Sequence, residues 1–108
     1  MPYGSWMNTI VETRVFARKV QKIWTADVFE KFLLFIARHP GAGKLIPGTG
    51  GVRKIRWEGQ GVGKQGGTRV IYYNKTTTEI WLLTLYAKSD IEDISVNELI
   101  KLRKATYD

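Results

Sequence analysis

The chain has no cysteine. That excludes a disulfide framework, a thiolate metal site and a cysteine nucleophile. Its one histidine, His39, leaves a zinc site to depend on clustered carboxylates, and the sequence has none. No apolar run approaches bilayer length and no charged-then-apolar leader opens the chain. The expectation is a soluble, cytoplasmic protein. Acidic side chains are also scarce: 10 Asp and Glu face 17 Lys and Arg, a formal charge of +7 in 108 residues. So large an excess on one small domain points to nucleic acid or to a strongly acidic protein partner. Internal repeats and low-complexity tracts are absent, so residues 1–108 read as one domain, with 1–7 a flexible N-terminal segment and Met7 an alternative start.

What is present is a run of short, well-punctuated elements. Asn8 to Glu12 alternates and reads as a first strand. Thr13 can cap a helix through Trp24, and Thr25 a second helix that ends at Arg38, His39, Pro40 and Gly41. Their apolar stripes run through Val15, Phe16, Val20, Ile23 and Trp24, then Val28, Phe29, Phe32, Leu33, Phe35 and Ile36. A helical hairpin of this kind needs a sheet to cover. His39, at a helix C-terminus before proline, reads as a residue that meets the last carbonyls rather than a catalyst. Residues 41–51 form a loop anchored by Leu45 and Ile46. Strands follow at 52–57, 68–74 and 79–87, then a helix from a Ser95…Glu98 capping box. The fold class is α+β, with a small antiparallel-rich sheet, an N-terminal helical hairpin and a C-terminal helix.

Chemistry concentrates between Gly48 and Tyr73. Alternation places Lys54 and Arg56 on one strand face and Ile55 and Trp57 on the other. Five basic residues, Arg53, Lys54, Arg56, Lys64 and Arg69, stand in that stretch against one acid, Glu58. Gly61-Val-Gly63-Lys-Gln-Gly66 matches a dinucleotide-binding glycine pattern, but a strand follows it where a helix is required. Gln65 after Lys64 excludes a P-loop, and no Ser-His-Asp set is available. On the last strand Leu82, Thr84, Tyr86 and Lys88 share one face, with Trp81, Leu83, Leu85 and Ala87 expected on the helix-covered side. A sheet face joining Lys54, Arg56, Arg69, Tyr86 and Lys88 suits phosphodiester transfer. Cations hold the phosphate and stabilise its growing charge, while a tyrosine stacks on a base or bears on a proton. RNA brings its own nucleophile in the 2′-hydroxyl.

The segments GTGGVRKIRW, GxGKQGGTRVIYY and WLLTLYAKSDIEDIS resemble the RelE superfamily of toxins from type II toxin–antitoxin pairs, and in particular its HigB-type branch. The resemblance spans about Asn8 to Leu102. It implies a ribosome-dependent endoribonuclease, an mRNA interferase that cuts mRNA in the A site of the 70S ribosome and inhibits translation. It also implies a cognate, DNA-binding antitoxin of helix-turn-helix type, and no metal or other cofactor. By the resemblance the catalytic set is Lys54, Arg56, Arg69, Tyr86 and Lys88, with Arg53, Lys64 and Tyr73 as RNA-binding neighbours. Ser89 departs from RelE, which carries an arginine there, and no histidine or carboxylate stands in for the general base of some relatives. Two rival readings remain: a ParE-like gyrase poison of the same fold, and an RNA-binding module without catalysis.

Overall fold

The computed structural model describes residues 8–58, 67–87 and 94–107. The order is β1 (Thr9–Glu12), α1 (Arg14–Ile23), α2 (Ala26–Arg38), β2 (Lys44–Leu45), β3 (Val52–Trp57), β4 (Thr68–Asn74), β5 (Glu79–Ala87) and α3 (Val96–Lys104), closed by a 3₁₀ turn over Ala105–Tyr107. The five strands form one sheet in the order β1-β5-β4-β3-β2. Pairing is antiparallel except between β1 and β5, which run parallel at the edge.

The helices begin where hydroxyl side chains can satisfy their first N–H groups. Thr13 Oγ1 accepts from Phe16 N–H at 3.2 Å, Thr25 Oγ1 from Val28 N–H at 3.3 Å, and Ser95 Oγ from Glu98 N–H at 3.2 Å. The Thr13 hydroxyl also lies 3.0 Å from the carbonyls of both Leu82 and Leu83, so the cap of α1 is moored to β5. His39 caps α2: its N–H meets Phe35 O and Ile36 O, and its exposed ring tilts over Phe35.

Both sheet faces are covered. The hairpin α1–α2 buries Phe16, Val20, Trp24, Val28, Phe32 and Ile36 against Val70, Tyr72, Ile80, Leu82 and Leu85. Trp57 completes this side, its ring 5.3 Å from Phe32 and 5.2 Å from Phe35, centre to centre. On the opposite face α3 lays Leu99 over Val52, Ile71, Tyr73, Leu83 and Tyr86. Arg103 holds α3 down, donating from Nε to Thr49 O at 2.8 Å and standing over the Tyr73 ring.

Two expectations change. The 41–51 stretch contains a short edge strand, β2, and Leu45 is 57% exposed; Ile46 alone packs inward. The face assignment of β5 also reverses partway along. Ile71 pairs with Thr84 but Tyr72 pairs with Leu82, leaving Leu83 as the extra residue of a β-bulge. Beyond the bulge Leu85 faces the hairpin and Tyr86 faces α3, as alternation requires. Before it the parity is inverted: Leu82 joins the hairpin core, and Trp81 and Leu83 join the α3 side.

Candidate functional site

The α3 face of the sheet carries two neighbouring cross-strand rows. In the first, Arg56 on β3 stands opposite Arg69 on β4, which stands opposite Tyr86 on β5. In the second, Lys44 on β2 pairs with Lys54, Lys54 with Ile71, and Ile71 with Thr84. Directly opposed residues point to the same side of a sheet, so Lys44, Lys54, Arg56, Arg69 and Tyr86 share one surface. The rows are two residues apart along β3, roughly 6.8 Å.

Like charges directly opposite one another destabilise a sheet. This face holds two such pairs side by side, Arg56 with Arg69 and Lys44 with Lys54. Arg56 also forms an ion pair with Glu58. Both side chains are more than half exposed, so that pair contributes little. Two adjoining pairs of cations give this face a concentration of positive charge of the kind that suits a polyanion. Among the described residues no group of three or more His, Asp or Glu side chains could hold a metal ion.

The start of β4 is held from beneath. Trp24 Nε1, on the hairpin side, donates to the buried Thr68 Oγ1 at 3.0 Å, one residue before Arg69. Gly67 precedes it at a φ of +68°, turning the chain into the strand. Arg69 therefore follows directly on a strand start anchored from the hairpin side.

Tyr86 is 4% exposed and lines a cleft of about 140 Å³ with Ile46, Lys54, Ile71, Ile94 and Leu99. A ring so enclosed offers little open face on which a base could stack.

The remaining sequence-predicted residues are placed elsewhere. Arg53 pairs with Tyr72, on the hairpin face, and its Nη1 donates to Gly41 O at 3.2 Å and Gly43 O at 2.6 Å. It fastens the turn after α2. Tyr73 is on the α3 face but buried beneath Arg103 and packed with Val52 and Leu99. Lys64 and Lys88 lie outside the described residues. Lys44 was missed by sequence reasoning: its strand is two residues long, and only its pairing with Lys54 reveals the face it shares.

Two comparisons bear on this arrangement. The model of the family described as "RelE toxin of RelE / RelB toxin-antitoxin system" matches residues 9–108. Among solved structures, the fold is similar to a double-arginine mutant of the E. coli toxin RelE in the free state. The TM-score is 0.60 at 14% identity, over 90% of this chain and 97% of that one. With the family match running through every described element, from β1 to the closing 3₁₀ turn, the chain belongs to the RelE family of toxins from toxin–antitoxin systems.

Proposed function

We propose that this toxin is a ribosome-dependent endoribonuclease of the HigB-type branch, cutting mRNA in the A site of the 70S ribosome and so stopping translation. The observation that carries the reading is the row Arg56–Arg69–Tyr86 beside the Lys44–Lys54 pair. In the reaction the RNA 2′-oxygen attacks the adjacent phosphorus and gives up its proton. The bond to the 5′-oxygen breaks, and that oxygen is protonated as it leaves, giving a 2′,3′-cyclic phosphate and a 5′-hydroxyl end. Arg56 and Arg69 hold the non-bridging oxygens and stabilise the charge that grows on them. Tyr86, opposite Arg69 in that row, is the candidate to bear on the 2′-hydroxyl or the leaving oxygen through its hydroxyl. Lys54, on the next row, adds charge that a metal ion would otherwise supply. Lys64 and Lys88 complete the cationic set in the sequence. Holding the reactants in place is itself a large part of the acceleration, because the nucleophile belongs to the substrate.

Membership of the family implies a cognate antitoxin. We infer an acidic one of helix-turn-helix, DNA-binding type, whose charge complements the +7 of this chain and speeds association. Ribosomes place the reaction in the cytoplasm. No helix among the described residues is long and apolar enough to cross a membrane.

The deciding experiment incubates translating ribosomes with the purified toxin and maps new mRNA ends. Ends within the A-site codon support the reading. Inhibition of gyrase supercoiling without such ends would assign the chain to the ParE-like branch, and RNA binding without either would make it a binding module.

A further inference from the structure

Behind the arginine row, on the other face of the sheet, lies a pair of residues that the helical hairpin grips. Arg56 and Arg69 are directly opposed on β3 and β4, and the next pair of that ladder is Trp57 with Thr68. Alternation turns this next pair toward α1 and α2. Trp57 lies against Phe32 and Phe35. Thr68 is fully buried, and its Oγ1 accepts from Trp24 Nε1 at 3.0 Å. The Trp24 ring stands 5.3 Å from that of Phe32, centre to centre, so Phe32 meets both the tryptophan that holds Thr68 and the tryptophan that follows Arg56. Trp24 is itself well fixed. Its N–H closes α1 on Val20 O at 2.9 Å, and Thr25, the cap of α2, follows it directly. Packing alone would be served by valine at position 68, which matches threonine in shape without its hydroxyl. The hydrogen bond adds what packing lacks, a direction.

We propose that Trp24 is a positioning residue for the arginine row. Its indole N–H fixes Thr68, and Thr68 fixes where Arg69 leaves the strand and how its guanidinium is aimed beside Arg56. The inference rests on the endoribonuclease reading and deepens it, adding a residue from across the sheet to the groups on which the reaction depends. The place where the bond acts supports it. Gly67, at a φ of +68°, turns the chain into β4, and Thr68 is the first residue of that strand. A strand end is where pairing alone holds the backbone least, and Trp24 holds it there. The chemistry calls for such support. Two guanidinium groups that act on one phosphate must keep a set separation, although like charges on opposed residues repel. An error of about 1 Å in placement costs roughly a hundredfold in rate.

The test separates aim from stability. Thr68→Val removes the acceptor and keeps the shape, Thr68→Ser keeps the acceptor, and Trp24→Phe keeps a buried ring without its N–H. Ile36→Val, elsewhere in the same core, is the control for a loss of stability alone. All are compared below their melting transitions. Backbone NMR relaxation reads the Arg69 amide, and single-turnover cleavage on translating ribosomes reads rate and association separately. The wild-type Arg69 amide is expected to be rigid, with an order parameter of about 0.85, and Thr68→Val and Trp24→Phe should lower it toward about 0.6. Both should lose roughly ten- to a hundredfold in cleavage rate while ribosome association stays within about twofold. Thr68→Ser should keep the rate within about threefold of wild type, and Ile36→Val should move neither rate nor order parameter. Since both variants break one bond, Trp24→Phe with Thr68→Val should lose no more than the worse single change. On an Arg69→Ala background Thr68→Val should cost nothing further, because the residue it aims is gone. A rigid Arg69 amide in folded Thr68→Val, or a loss that adds in full to that of Arg69→Ala, overturns the inference. Either outcome leaves A-site cleavage by the wild type, and hence the endoribonuclease reading, standing. A folded wild type that cuts no mRNA sinks the endoribonuclease reading, while the order parameter of Arg69 still decides whether Trp24 sets the start of β4.

Discussion

Gly67 offers the sharpest link between backbone geometry and the proposed catalytic row. Its φ is +68°, in the left-handed region, and a Cβ built there would lie 2.9 Å from the Trp57 carbonyl oxygen and 2.9 Å from Glu58 Cγ. The Glu58 side chain can swing aside. The carbonyl cannot, because Trp57 is paired with Thr68 in the β3–β4 ladder. Gly67→Ala therefore adds a left-handed penalty of roughly 1–2 kcal/mol to an overpacking cost of roughly 1–3 kcal/mol. A total near 3 kcal/mol should lower the melting temperature by about 12–24 °C in a domain of this size. Thermal denaturation by circular dichroism reads the shift. Below the transition, cleavage per folded molecule should still drop, because the strain is released into Thr68 and Arg69. A melting temperature within about 3 °C of wild type, with full cleavage, would refute the claim that this turn sets Arg69.

Trp57→Ala should cost roughly 3 kcal/mol in a denaturant titration, since the ring packs on both Phe32 and Phe35, whereas Lys54→Ala should leave stability nearly unchanged and weaken ribosome association most at low salt, with a shallower salt dependence than wild type. Reversal of those two phenotypes would shift the β3 register by one residue. Tyr86→Phe keeps the buried ring and should melt within a few degrees of wild type while losing about a hundredfold in cleavage; full activity would return the residue to the core alone. Burial raises the pKa of Tyr72 above its usual 10 by taking the phenolate out of water, a rise that outweighs the opposing pull of the Gly43 N–H it accepts and of the nearby Arg53 charge. The folded state then holds the proton after the unfolded state has released it. Stability from this group is intact below pH 10 and falls as pH rises from there toward the folded pKa, a loss that Tyr72→Phe should abolish in urea titrations against pH.

Local signals carried much of this fold into the sequence. Thr13, Thr25 and Ser95 each precede an apolar stripe at helical spacing, and each is a cap. The strands at 52–57, 68–74 and 79–87 are bounded by glycine or polar turns and begin and end as the sequence indicates. What escaped depends on tertiary pairing. Lys44–Leu45 is a strand only because β3 offers an edge, and nothing in two residues foretells that. The bulge at Leu83 is hidden because Leu82, Leu83 and Leu85 are alike in character, and with both sheet faces covered neither parity exposes a polar residue. The burial of Tyr86 required knowing that α3 folds back over that face. Arg53 is the opposite case: the alternation that united Lys54 with Arg56 already assigned it to the other side. At the site, the convergence of Lys54, Arg56, Arg69 and Tyr86 on one face follows from strand order and parity, and the like-charge pairing became visible only with the register.

The most direct measurement compares wild type with Arg69→Ala on translating ribosomes, mapping mRNA ends at nucleotide resolution while confirming that both proteins are folded. Arg69 sits at the centre of its row, between Arg56 and Tyr86, on a strand start fixed by Thr68 and Trp24. The predicted result is wild-type cleavage within the A-site codon and a loss of roughly two to three orders of magnitude in rate for Arg69→Ala at unchanged melting temperature. Near-normal A-site cleavage by folded Arg69→Ala, or none by folded wild type, would contradict it.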